Sequence, residues 1–145
     1  MVHNQELRLG SWDELGAQAL ALRIEVFVTE QGVPATLEHD EDDATALHAL
    51  ISRDAQTLAT GRLVRVGAVT GKIGRLAVKR DWRGQGLGRQ VLLALSDAAR
   101  AQGIKQLHLH AQCNAKLFYE REGFVAVGEP FDEAGIEHIL MTMSF

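Results

Sequence analysis

Six residues, Arg83, Gly84, Gln85, Gly86, Leu87 and Gly88, lie between a run of strand character at 72–78 and a run of helical character at 88–102. Glycine at every second position of such a junction narrows what the chain can build there. The backbone can take left-handed turns, no side chain holds a ligand away from it, and the next helix presents free N–H groups and the positive end of its dipole. The spacing predicts a cradle for phosphate or diphosphate. Two phosphate-binding alternatives conflict with the residues. The dinucleotide fingerprint places its third glycine three residues after the second, whereas Gly88 follows Gly86 by two and no matching acidic ribose ligand is evident. A P-loop needs Gly-Lys followed by Ser or Thr, and here the loop ends Gly88-Arg89-Gln90. A tight turn that binds nothing is the remaining alternative.

A chain of 145 residues with 46% hydrophobic content suits one domain, 1–145, with a real core. Its formal net charge of −4 disfavours a general nucleic-acid binder, although Lys79, Arg80, Arg83 and Arg89 form a local basic group suited to a small anion. The single cysteine, Cys113, excludes an intrachain disulfide, and the first residues lack the apolar segment of a secretion signal. A soluble, cytoplasmic protein is the expectation. No membrane partner is expected, because no apolar run approaches the about 20 residues needed to cross a bilayer.

Residues 6–9 suit a first strand, and Ser11 and Glu14 have the spacing of a capping box that starts a helix. Leu15, Ala19, Leu22, Val26 and Phe27 continue it at helical spacing to an end near Glu30, ahead of Gly32 and Pro34. Residues 38–43 are almost all charged, without a helical apolar face, and are expected to form a solvated loop. Residues 46–53 and 57–66 predict a hairpin across the turn at 54–56. After the turn at 67–71 come the strand 72–78, the glycine loop, and a helix with Leu87, Val91, Leu92, Leu95 and Ala99 on one side, stopped by Gly103. Ile104, Leu107, Leu109 and Ala111 suggest a strand, and Asn114 can cap a short helix that ends before Gly123. Two last strands are expected at 124–127 and 136–144, separated by a turn-rich segment containing Pro130 and Gly135. The fold class that follows is α/β of the mixed α+β type: a mixed, mostly antiparallel sheet flanked by helices.

This order, with the loop at 83–88, resembles the GCN5-related N-acetyltransferase (GNAT) superfamily, whose glycine loop binds the diphosphate of acetyl-coenzyme A. A strand like Gly74-Arg75-Leu76-Ala77-Val78 precedes that loop in the family. A second family motif falls here on Gln112, Ala115, Tyr119 and Gly123-Phe124. The family more often has asparagine at the first of these places, so Gln112 is a departure, with Asn114 two residues on. The ElaA-type branch is resembled through Arg23-x-Glu25-Val26-Phe27-Val28-x-Glu30-Gln31, Glu38-x-Asp40, Asp43, and Asp132-Glu133-x-Gly135-Ile136-x-His138. Acyl-homoserine-lactone synthases share an Arg/Phe-bearing first helix and an acidic loop, but this chain is short and keeps the full glycine loop.

The resemblance implies an acetyl-CoA-dependent N-acetyltransferase that transfers directly to a primary amine of a small molecule or protein, with acetyl-CoA as co-substrate and no metal. It leaves a homodimer open. The coenzyme would contact Leu76, Ala77 and Val78 along its pantetheine, Arg83, Gly84, Gln85, Gly86, Leu87 and Gly88 at its diphosphate, and Gln112 and Asn114 through polar groups. Tyr119 is the expected general acid, since a phenol of reference pKa about 10 suits a thiolate that leaves near pKa 8 to 9. On the acceptor side Glu30, Glu38, His39, His48 and His138 are candidates for substrate contact or for the base. The acidic segment at 38–43 can attract a cationic amine or simply be solvated. His108 and His110 share one face of a strand at a metal-pinching spacing, but no carboxylate or cysteine pair completes a ligand set there. Cys113 is expected to be a small apolar residue rather than an acetyl carrier. A noncatalytic coenzyme A sensor and, less favoured, an acyl synthase are the alternatives.

Overall fold

A computed structural model describes residues 5–145. In chain order these form β1 (Gln5–Gly10), α1 (Trp12–Arg23), a π-helical turn (Ile24–Glu30), β2 (Leu47–Arg53), β3 (Gln56–Arg65), β4 (Thr70–Val78), α2 (Leu87–Ala101), β5 (Gln106–Gln112), α3 (Lys116–Arg121), β6 (Val125–Glu133) and β7 (Ile136–Ser144). Short 3-10 turns lie at Ala35–Leu37, Glu41–Ala44, Arg80–Trp82 and Cys113–Ala115. The capping box starts α1 as the sequence predicts: the Ser11 hydroxyl accepts from the Glu14 N–H, and the Glu14 carboxylate accepts from the Ser11 N–H.

All seven strands join one sheet in the order β1-β2-β3-β4-β5-β7-β6, antiparallel except for the β4/β5 pair. This is the mixed, mostly antiparallel sheet flanked by helices that the element order implied. Alternation along β2 assigns its residues to two faces. Ala49 and Ile51 join the main core with Val91, Leu92, Leu95 and Ala99 of α2, whereas Leu50 packs with Leu15 and Ala19 of α1. Gly61 lets α2 approach the sheet closely, since a Cβ there would lie 2.8 Å from Val91 Cγ1. Among the described residues no helix is long and apolar enough to cross a membrane.

The parallel β4/β5 ladder is short. It runs from Thr70↔Gln106 to Ile73↔Leu109 and stops. Just beyond, β4 carries a bulge against β3, with Arg75 in the left-handed region at φ +53°. The two strands separate there, and the β5-facing edge of 74–78 has no strand partner among the described residues. An opening forms in the middle of the sheet.

Four local expectations need correction. The first helix leaves α geometry at Ile24 and continues as a π-helical turn. The segment at 38–43 is not a solvated loop: Glu38 and Asp43 are buried, and Asp40 caps the 3-10 turn that follows it. Asn114 caps nothing; it sits inside a 3-10 turn, and α3 starts after Ala115 without a side-chain cap. Pro130 lies within β6 rather than in a turn. Pairing with β7 is interrupted between Val127 and Phe131, so the missing proline N–H costs no rung.

Candidate active site

Gly86 is the N-cap of α2, at φ +82°, and Gly84 is at φ +77°. A Cβ at either position would meet nothing within 4 Å, so both face open space and the turn needs glycine for its backbone angles. No side chain caps α2, which leaves its first N–H groups available to an anion. Gly88 lies against its neighbours instead: a Cβ there would be 3.5 Å from Val78 and 3.6 Å from Phe118. The loop thus ties the ends of β4, α2 and α3 together. Arg83 donates from Nε to the Val78 carbonyl at 2.9 Å and pairs through Nη2 with Glu30 at 2.8 Å. Glu30, a candidate for substrate contact or for the base, therefore stands beside the glycine loop and does not line the cavity described below.

Tyr119 lies on α3, edge-on to Phe118 at 5.0 Å and to Phe124 at 6.1 Å. Burial pushes its phenol up to about 12. Such a group stays protonated at neutral pH, and it donates a hydrogen bond to a thiolate more readily than it gives up its proton. Cys113, at the end of β5, is a partly buried thiol packed against the main core.

The acidic segment is held in an ionic knot. Arg23, 1% exposed, donates from Nε to Glu38 Oε1 (2.6 Å), from Nη1 to Asp43 Oδ1 (2.8 Å), and from Nη2 to Asp43 Oδ2 (3.0 Å) and the Glu38 carbonyl (2.6 Å). Arg62 of β3 pairs with Asp40 (2.6 and 2.9 Å) and with Asp43 (2.9 Å). Arg75 reaches Asp40 at 3.2 Å from the β4 bulge. Burial alone would raise the Asp43 carboxyl, but the two guanidinium groups hold it well below the usual carboxylate range. Asp40 is lowered too, chiefly by its Arg62 hydrogen bonds. His39 stacks on Trp12 at 5.1 Å and bonds Asp43 through Nδ1; His48 is buried, with Nε2 donating to the Asp43 carbonyl at 2.9 Å. Burial lowers the His48 imidazole. His39 and His48 thus belong to the knot and do not line the cavity described next.

That cavity, about 420 Å³, lies between the β4/β5 opening and the knot. Phe27, Val33, Leu37 and Ile136 give it apolar wall, and Glu38, Asp40, Gln112 and His138 line it as well. Gln112 donates to Gln31 Oε1 at 2.8 Å, while Asn114 is exposed and outside the cavity. Sequence reasoning missed the pair His110 and Glu133, also on the wall, whose Nδ1 and Oε1 are 2.9 Å apart. The signal was present in the alternation of β5, which sends His110 and Gln112 to one face. His108 Nε2 instead faces Gln106 Oε1 at 2.8 Å, so the two histidines hold separate partners. Among the described residues no group of three His, Cys, Asp or Glu is placed to hold a metal ion.

The family profile described as acetyltransferase (GNAT) domain matches residues 12–145. An N-acetyltransferase of Bacillus subtilis, YjcF, described as uncharacterized, is 36% identical over 124 residues, covering 85% of this chain and 88% of that one. An acyl-CoA N-acyltransferase structure from Pseudomonas aeruginosa is 35% identical and superposes with a TM-score of 0.85, covering 97% of this chain and 100% of that one. Escherichia coli ElaA is 30% identical, also with a TM-score of 0.85, over 96% and 99% of the two chains. With the loop, the opened sheet and these relatives in agreement, the chain belongs to the GNAT acetyltransferase family.

Proposed function

We propose that this acyl-CoA-dependent N-acetyltransferase uses acetyl-CoA and transfers its acetyl group directly to a primary amine held in the cavity between the knot and the β4/β5 opening. The observation that carries the reading is the opening itself: an unpaired strand edge at 74–78 that leads to an uncapped helix N-terminus at the glycine loop. Acetyl-CoA supplies the thioester. Backbone N–H groups from Gln85 to Gly88 suit its diphosphate, with Arg83 adding charge once Glu30 yields it. Leu76, Ala77 and Val78 offer the strand edge to which an extended pantetheine arm can pair. A backbone N–H near Val78 would stabilise the oxyanion, and Tyr119 would hydrogen-bond and reprotonate the departing sulfur.

The amine's body would rest on Phe27, Val33, Leu37 and Ile136, with Gln112 as a polar contact. Asp40 and Asp43 are already paired with arginines and so are poor attractants for a cation. This favours an acceptor chosen by shape and apolar contact over one chosen by charge. A single cysteine suits a reducing compartment, and the cytoplasm is the proposed location.

Purified protein, acetyl-CoA and a panel of primary amines, followed by release of free thiol, tests the reading. Turnover is expected for amines on apolar bodies. Tyr119→Phe should lower kcat about 10²-fold with little change in the KM for acetyl-CoA; equal turnover removes Tyr119 as the acid. Acetyl-CoA binding without turnover across the panel would favour a coenzyme sensor.

A further inference from the structure

The Glu133 carboxylate, at the end of β6, stands between two histidine rings on the cavity wall. Oε1 is 2.9 Å from Nδ1 of His110 on β5, and Oε2 is 3.6 Å from Nε2 of His138 on β7. Phe131 flanks both rings, edge-on to His110 at 5.1 Å and stacked on His138 at 6.1 Å. An ionised carboxylate only accepts, so a neutral His110 donates from Nδ1 and keeps a lone pair on Nε2. That nitrogen has no protein partner among the described residues, and the side chain is 31% exposed. His138 is arranged differently: its ring is nearly buried, and its Nδ1 donates to the Ile136 carbonyl at 2.7 Å. It braces Glu133.

His110 is also the first residue of β5 past the last rung of the parallel ladder, as Gly74 is on β4. It therefore sits where the strands part, on the cavity that would receive the amine. An ammonium group cannot attack a carbonyl until it loses a proton. We infer that Nε2 of His110, its tautomer fixed by Glu133, takes that proton directly or through one water, which makes His110 the general base and Glu133 its positioning residue. This rests on the N-acetyltransferase reading. The proton passes from R–NH3+ to Nε2, and the freed nitrogen lone pair forms the C–N bond. The C–S bond then breaks with its electron pair on sulfur, Tyr119 gives its phenol proton to that sulfur, and the second N–H proton restores the phenol. The products are the amide, the free thiol and an imidazolium that returns its proton to solvent.

The titratable and charged groups that share the cavity with His110 are Lys72 and Arg75 on β4, Arg62 on β3, Glu133 on β6, His138 on β7, and Glu38, Asp40 and Asp42 of the acidic segment. Asp40 and Arg62 are paired with each other, and Glu133 is the one within ion-pair distance of the ring. The test uses n-butylamine, putrescine and Nα-acetyl-lysine amide as acceptor probes. His110→Gln should lower kcat/KM for a turned-over amine about 10²-fold near pH 7. That loss should shrink as pH rises toward the amine's own pKa, with calorimetric acetyl-CoA affinity within about twofold of the parent. Glu133→Gln, whose amide can donate as well as accept, should weaken the preference of His110 for its Nδ1–H tautomer and lower kcat/KM by less than His110→Gln does. A loss from His110→Gln that is constant with pH, or matched by weaker acetyl-CoA binding, overturns the inference. Ring nitrogen NMR of the parent protein decides independently of any acceptor: the Nδ1–H tautomer of His110 supports the inference and the Nε2–H tautomer overturns it. Failure of the parent to bind acetyl-CoA would strike the acetyltransferase reading instead, and the tautomer would still judge the dyad.

Discussion

One guanidinium does the work of a small core in the N-terminal half. Arg23 satisfies two carboxylates and a carbonyl at once, and its planar fork also lies over the Trp12 ring at 5.5 Å. A lysine cannot reproduce that geometry, because an ammonium lacks the rigid array of donors. Arg23→Met would leave Asp43 and Glu38 buried beside a neutral side chain, with Arg62 and Arg75 as their remaining cations. The expected cost is about 3–5 kcal/mol in urea unfolding, and a loss under about 1 kcal/mol would mean that the carboxylates escape to water. The sequence shows the carboxylates of 38–43 plainly. It hides their partners, because Arg23, Arg62 and Arg75 come from a helix and two strands that only the folded sheet brings together. A run of acids therefore looks solvated until the non-local arginines are known. The contact between His110 and Glu133 is hidden for the same reason, the two being 23 positions apart in the chain.

Elements with strong local signals were legible. The capping box, the apolar side of α2 and the β2/β3 hairpin all follow from spacing alone. Boundaries set by tertiary packing were not, as the π-helical turn at Ile24–Glu30 and the run of β6 through Pro130 show. Contact between α2 and the sheet gives an element-level prediction, because this helix carries the glycine loop at its N-terminus. A side chain at Gly61 would meet Val91 at 2.8 Å, Leu95 at 3.1 Å and Leu76 at 3.2 Å. Gly61→Val should force α2 outward and destabilise the protein by about 1–3 kcal/mol. Acetyl-CoA affinity should fall with it, since the cradle moves with the helix. Unchanged calorimetric affinity together with unchanged urea stability would show that α2 is free to repack.

At the scale of the whole molecule, the opening between β4 and β5 depends on strand order, and strand order is where short-range patterns carry least. Bringing β5 beside β4 in parallel, then β7 and β6 beyond it, sets the ladder's length and with it the place where the sheet parts. The knot locks the other half by joining α1, the acidic segment and β3, which couples global stability to proton uptake. His48 is buried and lowered, so the unfolded chain binds its proton more readily than the native one. Stability is complete above the unfolded value of about 6.5 and declines as pH falls below it. Asp43 and Asp40 are also lowered, and their contribution is complete above the unfolded value of about 3.9 and is lost as pH falls toward their native values. Both effects have the same sign at different pH. Urea unfolding from pH 8 to pH 3 should give a flat region above about pH 7, a shallow decline below about pH 6.5 and a steep one below about pH 4. His48→Gln keeps a side-chain N–H for the Asp43 carbonyl but cannot take a proton, so it should flatten the shallow decline and leave the steep one in place. A shallow decline that persists in this variant would assign the upper step to another group.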